Sequence, residues 1–143
     1  MKVLIVFFLL FSATCVAQDE VKCDPKIVKF VSENLDSLNQ EQIAKFLNNF
    51  DASCENNSEF LEFSNEILFK VLVRKTDLFL EAFALTPDDS RSQILLALKR
   101  PVNDKISVED ALKAVNASKV SNESKIQIIR VLRVAKTMTV EKM

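Results

Sequence analysis

Glu59, Glu62 and Glu66 stand three and four residues apart, a spacing that puts all three on one face of a helix. Carboxylates so placed would bind Ca²⁺ through oxygen or work as an acid/base pair. The chain supplies little else for catalysis. It has no histidine and no tyrosine, so imidazole bases, nucleophilic triads that use histidine and H-E-x-x-H metal sites are excluded. Beyond the leader described below, two cysteines remain, Cys23 and Cys54. An even pair in an oxidising compartment predicts one disulfide, which removes a thiolate nucleophile. Closing a loop of that length stabilises the fold by about 3–4 kcal/mol in the chain-entropy account. The carboxylate row lies opposite an apolar stripe, as a solvated helix face does. The sequence therefore predicts no enzyme, no cofactor and no metal site.

Two other sets of residues point to binding. Charge is lopsided: residues 18–69 hold 4 Lys/Arg against 11 Asp/Glu, whereas residues 117–143 hold 6 against 2. Lys125, Arg130, Arg133 and Lys136 in the basic end are candidates for docking an acidic partner. Nucleic acid is the poorest fit, because that stretch has no aromatic residue for base stacking. Phenylalanine is concentrated in the first half of the chain beyond the leader. Phe60, Phe63, Phe69, Phe79 and Phe83 would line an apolar pocket for a lipid-like ligand, or simply pack as core. Three Asn-x-Ser sequences, at Asn56, Asn116 and Asn122, match the N-glycosylation pattern. The pattern recurs by chance in a chain rich in Asn and Ser, so the motif alone assigns no modification.

The elements that would position these residues are helical. Residues 1–17 read as a secretory signal peptide: Lys2, then an apolar run, then small residues ending at Ala17. That run is about half of the ~20 residues a spanning helix needs, and no later segment is long and apolar enough to span a bilayer. Residues 18–143 then form one domain, exported to the medium or the periplasm. The chain contains no glycine, so tight hairpin turns and phosphate-cradling loops lose their usual residue. Helices must end on something else, and Asn48, Asn49, Asn103 and Asn116 are the available residues that tolerate a left-handed conformation.

The densest apolar stretch, residues 60–85, organises the rest. Phe60, Leu61, Phe63, Ile67, Leu68, Val71 and Leu72 fan over one side of a helix, and Phe69 and Val73 break into the other. This helix therefore needs neighbours in more than one direction. Thr76 reads as the N-cap of a helix folding back on it. Asp24-Pro25 starts the first helix, Asn39 with Gln42 caps the second, and Thr86-Pro87 starts another with Asp88 and Asp89 in its first turn. Ser107 caps the next, with Ile106 and Ala111 placed for a hydrophobic staple. The last helix begins near Glu123, buries Ile128, Val131, Leu132, Val134, Ala135 and Met138, and frays after Thr139.

Helices that open candidate pairs start near 24, 57, 87 and 121, with partners near 39, 76 and 107. Recurrence every 30–34 residues is the spacing of helical-hairpin repeats, although any seven helices with short loops approach it. The expected fold is all-α: six to seven antiparallel helices as stacked helical hairpins, in a short α-solenoid-like array or an irregular bundle. The expected function is a protein–protein interaction module, with a carrier of an apolar small molecule as the alternative.

Overall fold

A computed structural model describes residues 21–142; the expected leader, residues 1–17, lies outside them. Among the described residues there are seven α-helices and no strand. The helices are α1 (Pro25–Glu33), α2 (Gln40–Asn48), α3 (Ser58–Arg74), α4 (Thr76–Leu85), α5 (Asp88–Lys99), α6 (Val108–Ala117) and α7 (Glu123–Glu141). Short 3-10 turns occupy Leu35–Ser37 and Ala52–Asn56. No helix among the described residues is long and apolar enough to cross a membrane.

Most helix starts are written in side chains. Asp24 accepts a hydrogen bond from the Lys26 N–H at 2.9 Å, with Pro25 in the first helical position. Asn39 and Gln42 form a reciprocal capping box at the start of α2, which satisfies two amides that no helical carbonyl can reach. Asn57, Ser107 and Asn122 cap α3, α6 and α7 by accepting from the N–H groups of Phe60, Asp110 and Lys125, without a reciprocal side-chain bond. Two expected caps do other work. The Thr76 hydroxyl donates back to the Leu72 carbonyl at 2.7 Å, and the Thr86 hydroxyl to Ala82 at 2.9 Å. Each hydroxyl satisfies a carbonyl in the last turn of the preceding helix, because the connections are too short to leave those carbonyls to solvent. None of the candidate asparagines ends a helix in the left-handed region. Among the described residues only Cys23 has positive φ, at 57°; Asn49 stays right-handed, its N–H bonded to the Phe46 carbonyl.

The helices sort into two rows. In one, α3 contacts α1 and α6; in the other, α4 contacts α2 and α7. The pairs α1/α2, α3/α4 and α6/α7 join the rows, so three helical pairs stack side by side. Helix α5 belongs to neither row: it packs on α7, α2 and α3. The recurrence of helix starts had made α5 and α6 the third pair, and the contacts make it α6 and α7. Spacing along the chain reports element length; it carries no information on which faces meet.

The core lies between the rows. Phe46, Leu47, Leu68, Leu72, Phe79, Leu80, Phe83, Leu98 and Ile128 are fully buried, each large side chain contributing about 1.5–3 kcal/mol. Helix α3 has neighbours on several sides and Phe69 is buried, as its pattern required, but Val73 and Phe63 are exposed, because the helices packed around α3 do not cover them. Helix α7 departs from expectation in its second half. Ile128, Leu132 and Ala135 are buried, but Val134 and Met138 are exposed and the helix continues through Glu141 rather than ending near Thr139. Residues 136–142 are all exposed, so the last turns run past the helices that cover the first half.

Two polar links lie outside the core, one from the turn after α1 to α3 and one from α6 across to α7. Asp36 receives the Arg74 guanidinium at 2.5 Å, and Glu109 receives the Lys136 ammonium. The Arg74 hydrogen bond and charge hold the Asp36 carboxyl below the usual carboxylate range, and Lys136 does the same for Glu109. A depressed carboxylate stabilises the fold above its unfolded pKa and stops doing so as pH falls through the folded one.

Two predictions follow from these contacts. The buried Asn65 donates to the Ala97 carbonyl at 2.8 Å and accepts from the Val102 N–H at 3.3 Å, tying α3 to the end of α5. Asn65→Ala should lower unfolding free energy by about 1–3 kcal/mol in urea titration, the cost of stranding buried backbone groups; an unchanged midpoint refutes the tie. The thermal midpoint should be level from neutral pH to about 5 and fall below about 4, the ordinary carboxylate value. In an Asp36→Asn, Glu109→Gln double variant the neutral midpoint should drop slightly and the acid fall should be blunted. Profiles of identical shape in variant and parent would reject the assignment.

Candidate functional site

The chain between α2 and α3 turns back onto the start of α1. Cys23 and Cys54 are joined there, with a Cα–Cα distance of 5.5 Å. Beside them Asn49 is fully buried, its side chain accepting from the Asp24 N–H at 2.8 Å and donating to the Asp24 carbonyl at 3.0 Å. The Cys23 N–H in turn donates to the Asn49 carbonyl at 3.0 Å. The disulfide therefore closes a corner that hydrogen bonds already shape. The local sequence marks Asn49 only as a helix end. Its burial depends on the α1 entrance returning to the same place, which nothing local encodes.

Next to this corner is a cavity of about 310 Å³ between α3, α5 and the Ala52–Asn56 turn. Phe50, Cys54, Phe60, Leu61 and Ala97 give it an apolar lining, and Asp51, Glu55, Gln93 and Arg100 stand among its polar residues. Asp51 is engaged already: the Ser53 hydroxyl and N–H donate to it at 2.7 and 2.9 Å, which lowers its pKa. Arg100 is exposed and, among the described residues, has no ion-pair partner. Gln93, Leu96 and Arg100 come from α5, whose docking on α3 the sequence pattern did not reveal.

The five phenylalanines proposed for a pocket do not line one cavity. Phe60 faces the cavity just described. Phe79 and Phe83 are buried and stacked, with ring centroids 6.3 Å apart. Phe69 lines a separate groove beside α6 with Leu35, Val73 and Ile106. Phe63 is 38% exposed and borders a groove between α1 and α3. Arg91 lies 5.7 Å from the Phe83 ring and donates to the Thr86 carbonyl at 2.9 Å, closing the end of α4.

The four basic candidates on α7 divide in two. Lys125 reaches back to the Ser118 carbonyl at 2.7 Å and so finishes α6, while Lys136 is paired with Glu109. Arg130 and Arg133 are exposed, and among the described residues neither has an ion-pair or hydrogen-bond partner. They share the outer face of α7 with Ile126, 53% exposed, and Val140, 59% exposed; the intervals of four, three and seven residues keep all four on one side. Val134 and Met138 flank them. On this face exposed aliphatic side chains alternate with cations that have no partner among the described residues.

The three carboxylates of the row lie in different surroundings. Glu59 and Glu62 are exposed. Glu66 accepts from the Lys70 ammonium at 2.8 Å, and that hydrogen bond lowers its pKa, the opposite of what a general acid needs near neutral pH. Comparison of the chain with protein-family models, with curated proteins and with solved structures finds no match.

Proposed function

We propose that the protein is an exported helical interaction module that docks an acidic protein partner on the outer face of α7. Export is supported by the leader pattern and by the disulfide, which persists in oxidising compartments. The observation that carries the docking face is the pair of exposed, unpartnered guanidiniums, Arg130 and Arg133, set among Ile126, Val134, Met138 and Val140. A complementary surface would offer carboxylates for the planar guanidinium forks and apolar side chains to cover the aliphatic ones. The helix is held for this role by Lys125 and Lys136, whose contacts with α6 leave the other face free.

A second reading rests on the 310 Å³ cavity beside the disulfide. Its volume is at the lower end of small-ligand sites and its lining is largely apolar. In this reading the chain carries a small apolar molecule, held by Phe50, Phe60 and Leu61 rather than by the whole phenylalanine set.

Native mass spectrometry of the protein isolated from its own host separates the two. Docking predicts a recurring protein mass that disappears in an Arg130→Glu, Arg133→Glu variant, a loss of about 2–5 kcal/mol if those charges become buried on binding. Retention of the partner by that variant would sink the α7 assignment. Carriage predicts instead a lipid-sized adduct that Ala97→Trp, which fills the cavity, removes. A bare monomer overturns both.

A further inference from the structure

Three Asn-x-Ser sequences fall at the ends of helices, and the fold treats them differently. Asn56 closes the 3-10 turn before α3, and Asn116 lies in the last turn of α6. Both are exposed, and among the described residues neither side-chain amide has a hydrogen-bond partner. In the first sequence the cap of α3 is the neighbouring Asn57, whose side chain accepts from the Phe60 N–H at 3.0 Å, so Asn56 is spare. Asn122 is half-buried and is itself the cap of α7, accepting from the Lys125 N–H at 3.0 Å. Its hydroxyl residue, Ser124, is 6% exposed and packed inward.

We propose that Asn56 and Asn116 carry N-linked glycans and that Asn122 does not. In the transfer, the side-chain amide nitrogen forms a bond to the anomeric carbon of an oligosaccharide carried on a lipid pyrophosphate. The pyrophosphate leaves with the bonding electrons, and the amide nitrogen gives up one proton. The modification is bulky and must end in solvent. At Asn56 and Asn116 it displaces no side-chain amide hydrogen bond among the described residues, and Ser118, the hydroxyl residue of the second sequence, is half-buried and donates to Asp77. At Asn122 the cap fixes the side chain against the body, and a sugar there would crowd the first turn of α7; chains so modified fold poorly and are depleted from the exported pool.

The inference rests on the export reading, and its test keeps the two apart. The full chain with its own leader is expressed in a eukaryotic secretory cell, and the protein in the medium is compared before and after peptide N-glycosidase treatment. Two glycan-sized losses are expected, with Asn converted to Asp at positions 56 and 116. Asn56→Gln and Asn116→Gln should each remove one loss, and Asn122→Gln none. Disulfide-bonded protein in the medium without sugar overturns the glycan assignment and leaves export standing. Sugar on Asn122 overturns the discrimination between the sites. Protein held in the cell without sugar overturns export and this inference together.

Discussion

Helix α3 has eight buried residues among its seventeen, and they point in too many directions for one partner helix to cover. At 100° per residue Ile67 and Phe69 lie on different sides of the axis, yet both are removed from water. Leaving either side wet would expose large aliphatic and aromatic surface at about 25 cal/mol per Å². The chain meets this demand by placing α1, α4, α5 and α6 around α3. Once α3 is surrounded, the row positions of α1 and α6 are set, and α4 carries the second row through its contacts with α2 and α7.

Burial on several sides brings polar groups inside, and the protein handles them with two asparagines. Asn65 answers backbone groups where α5 ends against α3, and Asn49 answers those of Asp24 where the chain enters α1. An asparagine side chain carries both a donor and an acceptor, so one residue can satisfy the N–H and C=O of a strand-like segment that has no strand to pair with. The Cys23–Cys54 bridge closes over the second of these corners. Apolar packing thus determines the helix arrangement, and these clamps fix the irregular chain that connects it.

The surface shows what this arrangement leaves over. Charges such as Arg74, Lys70, Lys125 and Lys136 are taken up by contacts within the fold. Among the described residues Arg130 and Arg133 are not, because the buried side of α7 is set by Ile128, Leu132 and Ala135, and both arginines lie opposite it. The basic end of the chain therefore contributes two guanidiniums to a candidate contact face, half of the four cations its composition suggested. Phenylalanine divides the same way, with Phe79 and Phe83 given to the core and only Phe60 of the five facing the cavity beside α5.

By itself the sequence determined the helical class, most helix boundaries, the disulfide pairing and the many-sided burial of α3. Each of these is local or counts only the two cysteines beyond the expected leader: a cap is read within three residues, an apolar stripe within four turns. Tertiary structure decided which helices pair, and it placed α6 with α7 while sending α5 across α7, α2 and α3. It also decided which cations stay free, that Thr76 and Thr86 bond backward instead of capping forward, and that Val134 and Met138 stay exposed. Those outcomes depend on which faces meet across tens of residues, and periodicity along a helix defines a face without naming what covers it.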